Sequence, residues 1–403
     1  MAEWKMVKLG DIAKTNTSTY SPKENWEFVN YLDTGSITMN TIDEYQYINT
    51  KVEKLPSRAR RKVKANSIIY STVRPNQLHY GIIKSTPANF LVSTGFTVVD
   101  VNENEAIPDF IYYALTQREV TEHLQAIAEQ SVSAYPSITS SDLEEVEIML
   151  PDLESQKQIV SILGTIDGHI KQNVAINNNL LEQLNQLFAE FSTRCEWSNL
   201  SIGEIADKVA MGPFGSNIKV STFVESGVPI ISGNHLRGYF LEEPSFNYIT
   251  EEHAEKLRNS IVYPKDIIFT HAGNIGQVAM IPVDCEYPYY VLSQRQFYLR
   301  CNTNMAIPEY VLLFFHSKQG QHELLSYANQ TGVPSIAQPA TNLKKICLPV
   351  PPISEQRKWL SVIEPIIAMY QNNYQETKRL SALRDTLLPK LMSGELDVSA
   401  TNI

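Results

Sequence analysis

The chain nearly repeats itself after half its length, and that repeat limits the possible folds more than any other feature. Trp4, Val7, Gly10, Ile12 and Ala13 recur as Trp197, Leu200, Gly203, Ile205 and Ala206, at a constant offset of 193. Ile107-Pro108-Asp109-Phe110 returns as Ile307-Pro308-Glu309-Tyr310, and Leu153, Gln156 and Lys157 return as Ile353, Gln356 and Arg357, all at an offset of 200. Between them, Pro136-Ser137-Ile138 returns as Pro334-Ser335-Ile336 at 198. The drift reflects a few inserted loop residues in the second copy. Solenoid repeats run to roughly 20 to 50 residues, so a period this long makes each copy a whole domain plus its connector. One polypeptide then imitates a two-fold dimer.

The connectors differ in texture from what flanks them. From Gln156 to Phe191 there is no proline, and Ile159, Ile162, Ile166, Ile170, Val174, Ile176, Leu180, Leu184, Leu187 and Phe191 fall mostly three or four residues apart, on one stripe of a helix. At 1.5 Å per residue such a helix extends roughly 54 Å. The second copy repeats the stripe with Leu360, Ile363, Ile367, Tyr370, Tyr374, Leu380, Leu383, Leu387 and Leu391, and stops at Ser393-Gly394. Pro365 is expected to kink this second helix or begin it anew, because its ring removes a donor and crowds the preceding turn. A helix of this length cannot bury its stripe alone. The expected solution is an antiparallel coiled-coil pair, seamed by Ile159, Ile162, Ile166, Ile170, Leu180, Leu184, Leu187, Leu360, Ile363, Ile367, Leu380, Leu383 and Leu387. The alternative is that each helix packs on the flank of its own domain.

Each globular copy mixes strand-like runs (Ser67–Tyr70, Phe96–Val99, Asp266–Phe269, Phe297–Leu299) with helical stretches (Asp109–Ala128, Glu309–Leu325). The fold class is therefore α+β: two similar mixed domains separated by two long helices, with an internal pseudo-two-fold repeat. The expected boundaries are 1–151, 152–193, 194–352, 353–396 and a tail at 397–403. The densest apolar run, Val311–Phe315, is far too short to span a bilayer, and Met1-Ala2-Glu3-Trp4-Lys5 has no signal-like apolar core. A cytoplasmic location without membrane contact is expected. Four scattered cysteines, with no Cys-x-x-Cys, suggest neither a disulfide framework nor a zinc site.

A formal net charge of −10 argues against a protein that coats nucleic acid without regard to sequence. It leaves room for a local basic face. Lys51, Lys54, Arg58, Arg60, Arg61, Lys62 and Lys64, set against Glu53 alone, give a local balance of +6 within fourteen residues. Such a cluster reads either as a phosphate-gripping surface or as a merely solvated face.

Several segments carry a family resemblance. Leu150-Pro151-Asp152-Leu153-Glu154-Ser155-Gln156-Lys157-Gln158-Ile159-Val160, with Leu163, Ile166-Asp167 and Ile170, resembles the central conserved region of the specificity subunit of Type I restriction-modification enzymes. Leu348-Pro349-Val350-Pro351-Pro352-Ile353-Ser354-Glu355-Gln356-Arg357 is similar to the distal conserved region, as is the ending from Leu383 to Leu396. Ser71–Pro75, Gly212–Ser216 and Asp266–Gly276 resemble target recognition domain motifs of the same family. The resemblance covers the whole chain. It implies two target recognition domains, each reading half of a split site in double-stranded DNA. It also implies that paired helices space the halves and dock two methyltransferase subunits, through which restriction subunits bind. S-adenosylmethionine, ATP and Mg are then expected in the partner subunits and no cofactor in this chain.

Base edges are read chiefly by Arg, Asn and Gln, with Ser, Thr and His as adaptable partners, while Lys, Arg and backbone N–H groups grip phosphates. In the first copy, Arg74, Asn76, Gln77 and His79 follow a strand and are the candidate base readers, with Arg58, Arg60, Arg61, Lys62 and Lys64 on phosphates. Arg74-Pro75 also reads as a turn with a structural arginine. In the second copy the candidates are Ser216, Asn217, Lys219, Asn234, His235, Arg237, His271, Asn274, Gln294, Arg295 and Gln296. Gly212-Pro213-Phe214-Gly215 reads either as a turn that lets backbone approach a phosphate or as a plain loop, and Gly273–Gly276 as a hairpin turn in preference to a phosphate cradle.

Enzyme signatures are missing. The chain contains no Gly-x-x-x-x-Gly-Lys-Ser/Thr, no His-Glu-x-x-His, no Gly-x-Ser-x-Gly and no Asn-Pro-Pro-aromatic tetrapeptide. Asp152, Glu154 and Lys157 read as the first turn of the long helix rather than as nuclease carboxylates. Methylation and cleavage are therefore expected from partner chains. The competing reading is a structural scaffold bearing two protein-binding domains with no DNA contact.

Overall fold

The computed structural model describes residues 4–131, 135–194, 197–243, 245–329 and 332–398, without the Ser216 side chain. Most of the expected tail lies outside the described residues. The chain divides into two compact units: one takes the residues up to Asn173 together with those from Gln375 onward, and the other is Val174–Tyr374. Each unit thus holds one copy of the repeat plus a half of each long helix.

In the first unit, strand Lys5–Lys8 pairs antiparallel with Glu147–Leu150, tying the start of the domain to the residues that lead into the long helix. One four-stranded sheet runs in the order Ala13–Thr15, Phe96–Val101, Ser67–Ser71, Tyr80–Ile83, with antiparallel pairing throughout. A second sheet has the order Gln46–Asn49, Phe28–Leu32, Phe90–Ser93, Ala59–Lys62, and its two central strands are parallel. Ser67–Ser71 and Phe96–Val101 are buried along their whole length, which explains why they read as continuous apolar runs instead of alternating ones. The stretch read as one helix forms two, Pro108–Leu115 and Arg118–Glu129. At the break the side chains of Thr116 and Gln117 donate to the carbonyls of Tyr113 (3.4 Å) and Ala114 (3.3 Å), replacing the next helical turn.

The second unit repeats this plan in its entry pair and in both four-stranded sheets. Ser198–Ser201 pairs with Cys347–Val350. The first sheet is Ala206–Met211, Gln296–Cys301, Ile267–Thr270, Val278–Met280, and the second is Asn247–Ile249, Val228–Ile231, Tyr290–Leu292, Ile261–Val262, again with a parallel central pair. Its covering helices are Pro308–His316 and Lys318–Leu325, divided at Ser317, whose hydroxyl accepts from the Gly320 N–H (3.1 Å). The corner is tight enough to demand glycine: a Cβ on Gly320 would lie 2.0 Å from the Phe314 carbonyl oxygen.

The long helices are Leu153–Ser192 and Ile353–Met392, each of 40 residues and so about 60 Å long. Asp152 caps the first one: its carboxylate accepts from the Ser155 N–H (2.9 Å), and this bond holds the carboxyl below the usual range. In the first unit Ile159, Leu163 and Ile166 are buried, Leu391 and Met392 share the core of Ile159 and Leu163, and Asp167 accepts from Arg384 (3.1 Å) and from the Tyr113 hydroxyl (2.7 Å). Farther along, the Asn173 amide donates to Glu376 (3.0 Å). In the second unit Leu180, Leu184 and Phe188 share a core with Trp359 and Ile363, Phe191 stacks on Trp359 with centroids 5.1 Å apart, and Asn177 bonds both the Tyr370 carbonyl and Asn373. In each unit, residues rising in number on one helix meet residues falling in number on the other. The pairing is antiparallel, as expected.

Ile162, Ile170, Leu187, Leu360, Ile367, Leu380 and Leu387 are half-buried members of the stripe. One seam expectation, Leu383, needs correction, and of the two outcomes expected at Pro365 the fresh helix start is not found. Leu383 remains 46% exposed, because the neighbouring Arg384 turns inward to Asp167 instead. Nor does Pro365 begin a new helix: Ile353–Met392 is continuous through it. Ser361, whose carbonyl loses its usual i+4 donor at Pro365, is exposed, so water can replace that donor.

Candidate nucleic-acid interface

In each domain, a strand of the first sheet runs on into a loop that is fastened at three backbone points. In the first, the Thr72 N–H donates to the Gly95 carbonyl (2.8 Å), the Ile138 N–H to Thr72 (2.8 Å) and the Arg74 N–H to Pro136 (3.0 Å). In the second, the same bonds join His271 to Arg295 (2.9 Å), Ile336 to His271 (2.8 Å) and Gly273 to Pro334 (3.0 Å). This clamp makes Arg74 the structural counterpart of Gly273, and Gly95 that of Arg295. Both counterparts of the first kind are left-handed, with φ of 48° at Arg74 and 86° at Gly273. Glycine occupies that region freely, whereas an arginine there pays roughly 1–2 kcal/mol. The Pro-Ser-Ile repeat seen in the sequence is the strap of the clamp, a role its spacing alone did not reveal.

In the first domain the Arg74 guanidinium lies over the Tyr135 ring, 5.3 Å from its centroid, an interaction that no sequence pattern signals. Asn76 and Gln77 are exposed on the short 3-10 turn Pro75–Gln77, which is pinned by the Asn76 N–H donating to Gln125 of helix Arg118–Glu129 (3.2 Å). His79 is less free. Its Nδ1 bonds the Ile37 carbonyl at 2.6 Å, which fixes the ring against the sheet.

The basic cluster lies on and beside strand Ala59–Lys62. The register slips there, so that Val92 faces Arg61 while Ser93 faces Ala59, leaving Arg60 as the extra residue of a bulge. Bulges bend a strand and re-aim its side chains. Lys62 is neutralised by Glu24 and sits 5.1 Å over the Trp26 ring, and Lys64 is 3.8 Å from Asp100. Arg58, Arg60 and Arg61 form no ion pair among the described residues. Arg61 is partly desolvated, which lowers its pKa, and its Nε is buried without a partner.

In the second domain Asn217, Lys219, Asn234, Arg237, Asn274 and Arg295 are exposed. The side chain of Ser216 lies outside the described atoms. Two candidates are structural. His235 is 4% exposed: its Nδ1 accepts from the Ser232 N–H (2.9 Å), its Nε2 donates to the Ser245 carbonyl (2.9 Å), and its ring stacks on Phe246. Gln296 is 1% exposed and accepts from the Ser293 hydroxyl, so it braces the turn instead of facing solvent. Gln294 donates to the carbonyls of Gly215 and Ile218, fastening that loop to the Arg295 turn. His271 bonds the Gln294 carbonyl through Nε2 (3.1 Å), and burial lowers its pKa, favouring the neutral ring.

Of the glycine loops, Gly212 serves packing: a Cβ there would lie 2.0 Å from the Ser293 carbonyl oxygen. Gly273–Gly276 connects the antiparallel strands Ile267–Thr270 and Val278–Met280, as a hairpin turn should. Among the described residues no cluster of His, Cys, Asp and Glu could hold a metal, and no helix is long and apolar enough to cross a membrane.

Comparison with known proteins bears on this arrangement. A family model described as the Type I restriction modification DNA specificity domain matches residues 1–186 and again 195–382. The HindI specificity subunit of Haemophilus influenzae is 31% identical over 188 residues, 47% of this chain and 40% of that protein. The MjaIX specificity subunit of Methanocaldococcus jannaschii is 24% identical over 98% of this chain and 93% of its own. Among solved structures, the Type I restriction-modification S subunit of M. genitalium shares the fold, with a TM-score of 0.58 at 16% identity over 97% of this chain and 96% of that one. With both halves matched in the order the repeat demands, the chain belongs to the Type I restriction-modification DNA specificity family.

Proposed function

We propose that this chain is the non-catalytic specificity subunit of a Type I restriction-modification complex, in which each domain reads one half of a bipartite site in double-stranded DNA. The observation that carries the reading is the duplicated strand-end clamp. It offers two backbone frames held by the same three hydrogen bonds, on which different polar side chains are mounted, Arg74, Asn76 and Gln77 on one and Asn274 and Arg295 on the other. Polar readers on a fixed frame are what base recognition in a groove requires. The two long helices set the spacer between the half-sites and dock two methyltransferase subunits, through which restriction subunits join. S-adenosylmethionine, ATP and Mg chemistry belongs to those partners.

The test is an exchange of residues 1–151 for the corresponding segment of a relative with another specificity, assayed as the complex with its methyltransferase. One half of the methylated site should change and the other persist; a change in both halves refutes modular reading. Lengthening both helices by one turn should shift the preferred spacer, since paired readers place half-sites about one duplex turn, roughly 34 Å, apart. If the complex binds no duplex specifically and shows no salt-dependent affinity, the chain is a scaffold instead.

A further inference from the structure

The two clamps differ by an exchange. In the first domain the strand-end position is Arg74 and the facing turn carries Gly95; in the second the strand-end position is Gly273 and the facing turn carries Arg295. The shared backbone bonds establish the correspondence independently of any side chain. The arginine has changed strands, and in the second domain its guanidinium reaches back to the strand end. A Cβ placed on Gly273 would lie 3.5 Å from Nη1 of Arg295, so the second guanidinium occupies the space beside the strand end from which Arg74 springs in the first domain. Sterics bear on the facing turn of the first domain. A Cβ on Gly95 would lie 2.8 Å from Cγ2 of Thr34, which leaves the strand end as the open root for an arginine in the first domain.

Stability does not explain either arginine. Arg74 sits in a left-handed conformation that glycine would adopt at lower cost, and the proline that follows restricts it further. Both side chains are exposed, and neither forms an ion pair among the described residues. Each is nevertheless held by a braced support: the Arg74 strand end is strapped to Pro136, and the Arg295 turn is tied down by Gln294 and Gln296. The contact of the Arg74 guanidinium with the exposed Tyr135 ring is a small return, and a costly backbone that persists on a small return is a mark of function.

We infer that Arg74 and Arg295 are the equivalent specificity-determining residues of the two domains, each reading a guanine edge in its own half-site through the bidentate geometry of its guanidinium. The inference rests on the split-site reading proposed above and adds which residue reads and what base it selects. Arginine fits guanine because its two N–H groups match the O6 and N7 acceptors in the major groove, whereas lysine offers only a point charge.

The test uses the full chain in complex with its methyltransferase, first to define the wild-type site on a duplex library. R74G, R74K and R295K, with R295A, are then scored on every single-base variant of that site. R74G relieves the backbone and should fold at least as well as wild type, as checked by its urea midpoint. Expected is a loss of about tenfold to a hundredfold at one guanine of one half-site for the Arg74 variants, and at one guanine of the other half for the Arg295 variants, with discrimination at that position relaxed. Lysine should restore the affinity for variant sites but not the preference for guanine. A uniform loss across all sequences with a shallower salt slope would assign both arginines to phosphates and overturn the inference while leaving modular reading intact. No loss, or losses falling in the same half-site, would overturn it as well. Failure of wild type to select any split site would instead sink the underlying reading.

Discussion

Replacing Gln356 by leucine should detach the second domain from its long helix at one identifiable point. Gln356 is fully buried; its Oε1 accepts from the Ile307 N–H (2.9 Å), and its Nε2 donates to the carbonyls of Pro351 (2.7 Å) and Met305 (2.9 Å). Leucine fills a similar volume but leaves these groups without a partner. Met305 is 38% exposed, so its carbonyl can turn to water, whereas the bonds to Ile307 and Pro351 are buried. Two orphaned buried groups at about 1–3 kcal/mol each, offset by the added apolar burial, give a cost of about 3 kcal/mol. Hydrogen exchange at the Ile307 amide reads this directly: about 3 kcal/mol corresponds to a fall in protection of roughly a hundredfold. Gln156→Leu in the first domain should cost less, because the bond from Ile107 to Gln156 (2.8 Å) is only part-buried, whereas its counterpart from Ile307 to Gln356 is buried. An Ile307 amide that stays as protected in Gln356→Leu as in wild type would refute the reasoning.

Pro365→Ala restores the donor missing opposite Ser361 on an exposed helix face and should raise the unfolding midpoint, by up to about 3 kcal/mol of helix stability; a lowered midpoint would contradict this. His316 is held neutral by burial, which pushes its pKa down to about 4, and its Nε2 bonds the Val278 carbonyl (2.9 Å). Because the unfolded chain binds this proton more readily, the second domain should keep the contribution in full above about pH 6.5 and lose it as pH falls towards 4; urea midpoints of His316→Gln should show a flatter pH dependence over that window. Converting Arg58, Arg60 and Arg61 to alanine together should weaken DNA binding equally on all sequences and reduce the salt slope by roughly one unit for each phosphate no longer gripped, and sequence-dependent losses would argue for base reading there instead.

The parts of the fold set by spacing along the chain were legible in the sequence. The offset of the repeat announced two like domains, and the apolar steps from Ile159 to Leu187 marked a helix whose stripe is buried at Ile159, Ile166, Leu180 and Leu184. What depends on the rotation of one element against another was not. Leu383 fits the period and still faces outward, since a neighbouring arginine reaches a carboxylate that no periodicity predicts. His235 and Gln296 have the chemistry of readers, but the 3-10 turn Gly233–His235 and the strand Gln296–Cys301 turn them inward, where each spends its polar atoms on a turn. The helix breaks at Thr116 and Ser317 were hidden because the apolar pattern runs on across them while side chains take over the backbone bonds. Among the site residues, the clamp was present as the repeated Pro-Ser-Ile triplet, but its partners could be found only once the strand ends were placed.

A second exchange between the copies shows why the one at the strand end is informative. In the first domain the Ser67 hydroxyl donates to the buried carboxylate of Asp100 (2.6 Å); in the second the carboxylate belongs to Asp266, on the facing strand segment, and accepts twice from Arg300 (2.8 and 2.6 Å). Here energetics force the two positions to change together, since a buried carboxylate without a donor would cost several kcal/mol. Arg74 with Gly95, and Gly273 with Arg295, face no such demand. Their charges are solvated, so neither glycine nor arginine needs the other for electrostatic reasons, and sterics alone would be satisfied by two glycines. That each domain nonetheless keeps a single arginine at this place, and in one case keeps it against backbone preference, locates the constraint outside the folded chain, in whatever acceptor the guanidinium meets.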